Sequence, residues 1–273
     1  APATVKKRVV LDMDTAYYPE SFPVPMIDVV HSRIAEEVLR GCIRGCRFCQ
    51  AGFLYRPFRE KGIDTIDAQC RALCASTGYD EISLSSLSTS DYSKLNELID
   101  RLHQWTEKDK VSLSLPSLRV DGFSPELMER INSVRKSGLT FAPEAGSQRM
   151  RDVINKNVTE EELLHTVDVA FTEGWTRIKL YFMIGLPTEA MEDVLAILEL
   201  GKKVVDVFYQ NKDKPKGKAV EVALSAAAFV PKPFTPFQWF GQDTMDQLQK
   251  KQRDLKGNVR SKRVSVSYHG AQT

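Results

Sequence analysis

Three cysteines fall within eight residues, in the run Arg40-Gly41-Cys42-Ile43-Arg44-Gly45-Cys46-Arg47-Phe48-Cys49. With five cysteines in the chain, partners at both +4 and +7 arise by chance in about one sequence in a thousand. Thiolates on a short loop suit iron–sulfur clusters, whose irons are normally all capped by Cys. Three ligands, Cys42, Cys46 and Cys49, leave one iron of such a cluster open. Gly41 and Gly45 let the loop wrap tightly, and Phe48 between the last two ligands can shield the site from water. The competing reading is zinc, which needs a fourth ligand and would take it from His31 or Cys70. Cys70 and Cys74 lie in line with Ile66, Leu73 and Thr77 on one helix face, a pattern that reads as core.

The elements that must position this loop repeat in a β-then-α order. Strands are predicted at Ile34 to Leu39, Glu81 to Leu87, Val111 to Leu115, Leu139 to Pro143, Arg177 to Ile184 and Val220 to Val230. Helices are predicted near Thr65 to Thr77, Tyr92 to Glu107, Pro125 to Ser137, Glu160 to Glu173 and Glu189 to Gln210. Ser124-Pro125 and Thr159 to Glu162 are start signals, and Gly138 and Gly174 stop signals. A short strand is expected at Arg8 to Leu11, and a last helix and strand at Asp243 to Lys256 and Val264 to Tyr268. Parallel strands joined by right-handed helical crossovers leave an open sheet or a barrel. Six units in about 240 residues predict an α/β fold, a partial (β/α)6 TIM-like barrel.

Ligands of such a barrel sit at the C-terminal ends of its strands, and four of these ends carry unusual residues. Ser85 to Tyr92 is a small polar turn holding Ser86 and Ser88, which could equally be helix caps. Arg119-Val120-Asp121 puts two opposite charges on one side of an extended segment, as a binding pair or a structural ion pair. Phe141-Ala142-Pro143-Glu144-Ala145-Gly146-Ser147-Gln148-Arg149 runs on to Asn155-Lys156. The fifth strand ends Met183-Ile184-Gly185-Leu186-Pro187-Thr188-Glu189. Alternation along it sets Arg177, Lys179, Tyr181 and Met183 on one face. If that face is the lumen, Lys179 and Tyr181 point at substrate as catalytic candidates; if not, they snorkel beneath a helix.

The C-x3-C-x-aromatic-C loop after the first strand of a βα series resembles the radical S-adenosylmethionine (SAM) superfamily, whose members cleave SAM reductively to a 5'-deoxyadenosyl radical. The resemblance implies a 4Fe-4S cluster on Cys42, Cys46 and Cys49, with Phe48 beside it. It implies SAM contacts from Ser86 and Ser88 to the amino group, Glu144 to the ribose, Lys156 to the carboxylate, and Ile184 at the adenine. Ser147 belongs to the Glu144 to Arg149 run, similar to E-S-G-S-x-R, and Arg119 to an Arg-x-Asp seen in cobalamin-linked members. Thr188 stands where the superfamily usually has Gly. Nearly the whole chain is similar to the radical SAM portion of a family fused downstream of a cobalamin-binding-type domain and related to methylthiotransferases. The implied partners are a reductase such as flavodoxin or ferredoxin and a substrate that could be RNA or protein. Cobalamin enters only through a further domain, because no D-x-H-x-x-G motif occurs here.

Composition narrows the rest. Hydrophobic residues make up 42% of 273, enough for a large core, and 38 Lys plus Arg against 36 acids give a net charge of only +2. That balance does not demand a polyanion, although Lys212, Lys214, Lys216 and Lys218 could touch phosphates if they are more than a solvated loop. No stretch approaches the roughly 20 apolar residues of a membrane span, so a cytoplasmic enzyme without membrane contact is expected. Cysteine clustering without a disulfide pattern fits a reducing compartment. Residues 1–30, rich in proline, read as a connector from a missing upstream domain, 31–240 as the barrel, and 241–273 as a helix and strand packed on it. The rival to an enzyme is an iron–sulfur scaffold or electron carrier, which would have no need of Glu144, Lys156 or the Ile184 to Pro187 turn.

Overall fold

The structure, a computed structural model, describes residues 2–115, 119–120 and 139–270. It divides into two compact units, Ala1–Cys42 with Tyr55–Ser117, and Ile43–Leu54 with Leu118–Thr273. The helix expected at 125–137, its Ser124-Pro125 start, its Gly138 stop, and Asp121 lie outside the described residues.

In the first unit, β1 (Ile34–Glu37), β4 (Glu81–Ser85) and β5 (Ser112–Ser114) form a parallel sheet in the order β1-β4-β5. A two-residue ribbon pairs β2 (Leu39–Arg40) with β3 (Arg59–Glu60) antiparallel. The strand expected from Ile34 to Leu39 is thus broken at Val38, which is buried and turns its amide to the Ser85 carbonyl at 3.1 Å. Helices α2 (Ile63–Thr77) and α3 (Leu95–Asp109) bury Ile66, Cys70, Leu73, Leu98 and Leu102 against Ile34, Ile82 and Leu84 of the sheet. The strand expected at Arg8 to Leu11 does not form. Among the described residues no neighbouring strand offers it a ladder, and the Val10 carbonyl instead accepts from the Arg59 guanidinium at 2.7 Å.

The second unit carries four parallel strands in sequential order: β6 (Leu139–Glu144), β7 (Arg177–Ile184), β8 (Glu221–Ala228) and β9 (Val264–Tyr268). Four-residue α1 (Ala51–Leu54) and one-and-a-half-turn α4 (Gln148–Val153) were hidden from a periodicity argument by their shortness. The longer helices are α5 (Glu160–Thr172), α6 (Met191–Gln210) and α7 (Met245–Gly257). Helix α5 starts on the expected capping box, with the Thr159 amide donating to Glu162 Oε2 at 2.8 Å and the Glu162 amide to Thr159 Oγ1 at 3.1 Å. It ends before Gly174, whose φ of +94° takes the left-handed conformation. Helix α6 buries Val194, Ile197, Leu200, Val204 and Phe208 at helical spacing against Ile178, Leu180, Phe182 and Ile184 of β7. Among the described residues, no helix is long and apolar enough to cross a membrane.

Candidate functional site

Gly41, with φ +94°, precedes the first cysteine because no side chain fits there: a Cβ would stand 2.8 Å from the Tyr55 carbonyl oxygen. Cys42 closes its segment of the first unit, whereas Cys46 and Cys49 lie on the excursion that belongs to the second. Cys46 is buried, Cys42 and Cys49 are half-buried, and none of the five cysteines forms a disulfide. Within the second unit the loop is stitched down. The Arg47 amide donates to the Ile154 carbonyl at 2.9 Å and the Arg47 guanidinium to the Val153 carbonyl at 2.5 Å. Asn155 Nδ2 donates to the Gly45 carbonyl at 2.9 Å, the Phe237 amide to the Arg47 carbonyl at 3.2 Å, and Gln50 Nε2 to the Pro233 carbonyl at 3.1 Å. Phe48 packs on Ala145, Met150, Ile154, Leu186, Phe229 and Phe237, so it anchors the loop.

Among the described residues no three His, Cys, Asp or Glu side chains are gathered to hold a metal ion. The structure pairs Cys46 with Cys49 in one turn, the Cys49 amide donating to the Cys46 carbonyl at 3.1 Å. Three thiols without a fourth protein donor on the same loop suit an iron–sulfur cluster better than closed tetrahedral zinc. The proposed zinc completers are otherwise engaged. Cys70 is wholly buried beside Ile66 and Leu73, and His31 Nδ1 lies 3.1 Å from Arg33. Burial pushes the Cys70 thiol far up and the Cys74 thiol up to about 11, which makes both poor nucleophiles at neutral pH. Iodoacetamide applied to the unloaded chain at pH 8 is expected to label Cys42 and Cys49 and to spare Cys70 and Cys74. Peptide mapping that found Cys70 modified first would overturn this division.

β6 ends in Glu144, whose φ of +69° follows a register shift against β7 between Phe141 and Glu144. That turn aims the carboxylate at Lys156, whose Nζ donates to Oε1 at 3.2 Å, and both side chains are largely buried. Arg119 Nη2 donates to the Lys156 carbonyl at 3.2 Å, which brings two of the expected SAM contacts and the arginine of the Arg119–Asp121 segment into one constellation. Burial pushes the Glu144 carboxyl above its ordinary range, and the Lys156 ammonium, with Arg119 behind it, opposes the shift.

Ser147 is used differently. Its hydroxyl donates to Asp193 Oδ1 at 2.6 Å and accepts from the Met150 amide at 3.2 Å as the N-cap of α4. Two supports had no sequence signal. Arg151, fully buried, donates to the Ala145 and Gly146 carbonyls at 3.0 and 2.9 Å and to Gln148 Oε1 at 3.0 Å. Asp193 receives both Ser147 and Arg149. A buried arginine and a helix-entry aspartate look like ordinary surface charges until their partners are known.

The Ile184 carbonyl accepts from the Phe229 amide at 2.8 Å, and Ile184 itself is buried. Gly185 and Thr188 then take φ of +82° and +66°, so Thr188 occupies a backbone conformation that suits the superfamily's usual Gly. Because Ile178, Leu180, Phe182 and Ile184 face the helices, Lys179, Tyr181 and Met183 face away from them, which removes the snorkelling alternative. Lys179 Nζ lies 4.6 Å from the centre of the Tyr181 ring, and Tyr181 is 39% exposed. Their register partners on β8 are Ala223 and Ser225, followed by Ala227 beside Met183, small residues that leave room above this face.

In the first unit the two serines part company. Ser86 Oγ is 2.8 Å from Thr89 Oγ1 and accepts from the Ser88 amide at 3.2 Å, a local turn. Ser88 Oγ is buried and makes no hydrogen bond among the described residues. The lysine run precedes β8 and therefore lies at the strand end opposite to the Phe229–Trp239 segment. Lys214 Nζ donates to the Tyr209 and Asn211 carbonyls at 3.0 and 2.7 Å, capping the end of α6.

The profile of the Radical SAM superfamily matches residues 37–201, from just before the cysteine loop into α6. The chain is 34% identical over 202 residues to an uncharacterised protein of Methanocaldococcus jannaschii, a match covering 74% of this chain and 41% of that protein. It is 26% identical over 180 residues to tRNA-2-methylthio-N(6)-dimethylallyladenosine synthase of Opitutus terrae, covering 60% and 36% respectively. Among solved structures, the radical S-adenosylmethionine methyltransferase TsrM of Kitasatospora setae, with cobalamin and a 4Fe-4S cluster bound, has the same fold. The TM-score is 0.54 at 14% identity, over 75% of this chain and 38% of that one. The chain spans less than half the length of each of these proteins. With a stitched cysteine loop, a Glu144–Lys156 pair closing β6 and a glycine turn closing β7, the chain belongs to the radical SAM superfamily.

Proposed function

We propose that this chain is the radical-generating domain of an enzyme that cleaves SAM to begin hydrogen abstraction from its substrate. Cys42, Cys46 and Cys49 hold the 4Fe-4S cluster in this reading. When bound, the cluster supplies the electron, delivered by a reductase such as flavodoxin or ferredoxin, for reductive cleavage of SAM to a 5'-deoxyadenosyl radical. The observation that carries the reading is the physical tie between the cysteine loop and the end of β6. Arg47, Asn155 and Phe48 fasten the thiol-bearing turn to the segment that carries Glu144 and Lys156. An electron carrier would have no need to hold a buried carboxylate–ammonium pair in register with its cluster loop.

Each residue then has a task. Glu144 accepts the ribose hydroxyls, and Lys156 pairs with the SAM carboxylate while Arg119 fixes its backbone. Ser88 and the Ser86 turn meet the amino group, and Ile184 with the Gly185 turn backs the adenine. Ser147 holds its part of the site through Asp193, and Phe48 keeps water from the cluster. Lys179 and Tyr181 face the substrate and are the catalytic candidates. Residues 31–240 form the catalytic portion, 1–30 a connector and 241–273 a buttress, in a cytoplasmic protein. The similarity to a tRNA methylthio synthase and to a cobalamin-binding methyltransferase favours a second reading, methyl or methylthio transfer to RNA or protein, with cobalamin or the transferred group supplied through a further domain.

Glu144→Gln tests the reading. After anaerobic reconstitution the variant is expected to keep its iron but to bind SAM at least about tenfold more weakly by equilibrium titration, equivalent to about 1.4 kcal/mol. Unchanged SAM affinity, or a wild-type chain that binds no SAM, would sink it.

A further inference from the structure

The Gly185–Glu189 turn is held from outside the segment that matches the superfamily, which ends at residue 201. Glu189 Oε2, on a side chain only 3% exposed, accepts from the Gly185 amide at 2.7 Å and from Lys251 Nζ at 2.7 Å. Lys251, on α7, also pairs with Asp243 Oδ2 at 2.7 Å. Leu248 of α7 and Asp243 just before it crowd Gly185, where a Cβ would stand 3.1 Å from both Asp243 Oδ2 and Leu248 Cδ2.

The turn is itself a junction. Leu186 packs among Phe48, Ile154 and Phe237, and the Thr188 carbonyl accepts from Arg149 at 2.9 Å. A buried carboxylate bonded to a backbone amide stays ionised and in place only while an opposite charge compensates it, and Lys251 is that charge.

We infer that Lys251 is a positioning residue for SAM: through Glu189 it fixes the Gly185 turn, so that α7 governs nucleotide affinity without touching the nucleotide. The inference rests on the SAM-binding reading for the adenine turn. Lys251→Met is expected to retain iron after reconstitution, to speed amide exchange in 185–189 about tenfold, and to weaken SAM binding about tenfold. Lys251→Arg is expected to restore most of both, and Lys250→Met, altering an exposed neighbour on α7, to change neither. Exchange in 185–189 left at the wild-type rate, or faster exchange spread evenly through the second unit, would overturn the clamp. If Lys251→Met does not fold, Asp243→Asn serves: faster exchange confined to the turn supports the clamp, and no change overturns it. A wild-type chain that binds no SAM would remove the function proposed above, while the exchange comparison would still decide whether the turn is clamped.

Discussion

Replacing Cys46 with Ala is expected to drop iron from four atoms per chain to less than one after anaerobic reconstitution. SAM cleavage should fall on the order of a thousandfold or more, to the assay background. Cys46 is the buried member of the triad, and the residue after it is pinned on both sides, its amide to Ile154 and its carbonyl to Phe237. No backbone slack therefore exists to bring another thiol into its place. Losing one of three ligands also leaves a second iron uncapped, and a cluster so exposed does not persist in water. The substitution removes a single sulfur atom, so the melting temperature of the unloaded chain is expected to stay within a few degrees of wild type. Cys70→Ala, a change in the core, is the matched control and should load normally. A Cys46→Ala protein with four irons, or a wild-type chain that takes up zinc in preference to iron, would overturn the assignment.

Gly146→Ala is expected to be the most destabilising single methyl in the second unit. A Cβ at Gly146 would lie 2.2 Å from the Ile197 amide nitrogen and 2.5 Å from the Ala196 carbonyl carbon, both in the backbone of α6. No rotamer change can relieve a clash between a Cβ and a helix backbone. Either α6 lifts from the sheet and unpacks Ile197 and Leu200, or the Glu144 turn shifts. Overpacking commonly costs 1–3 kcal/mol, and with rigid neighbours about 3 kcal/mol or more is expected here. For a chain of this size that is a fall in melting temperature of about 6–12 °C. Calorimetry on Gly146→Ala beside Gly257→Ala, whose added Cβ meets nothing within 4 Å, would check it. Equal stability of the two would mean that α6 does not approach so closely.

The parts of the fold that a sequence reader can see are those with long periodic patterns. β7 and β9 have their expected limits because apolar alternation runs through them without a break, and α5 starts on its capping box. What stays hidden depends on partners distant in the chain. β2 and β3 exist only as each other's ladder, α4 is too short for a period, and Arg8 to Leu11 has the composition of a strand but no neighbour. The site divides in the same way. Cys42, Cys46 and Cys49 are legible from spacing, and Glu144 and Lys156 from their likeness to a known pattern. Arg47 and Asn155 act through backbone carbonyls more than 100 residues away, which no local pattern marks. Ser147 lies within a recognised run, but its bonds to Asp193 and to the α4 N-terminus depend on partners that the run does not mark.

The fastening of the cysteine loop also sets an order of events during synthesis. Gln50 finds its carbonyl partner at Pro233, 183 residues later, and Arg47 meets Phe237 later still. At 5–20 residues per second the ribosome needs about 10–40 s to supply those anchors after the thiols have emerged. Through that interval the loop that carries Cys46 and Cys49 can have its ties to Val153, Ile154 and Asn155 but lacks those to Pro233 and Phe237. A chain truncated before Pro233 would therefore carry all three thiols on a loop tied on one side, to residues 153–155, and without its anchors at Pro233 and Phe237.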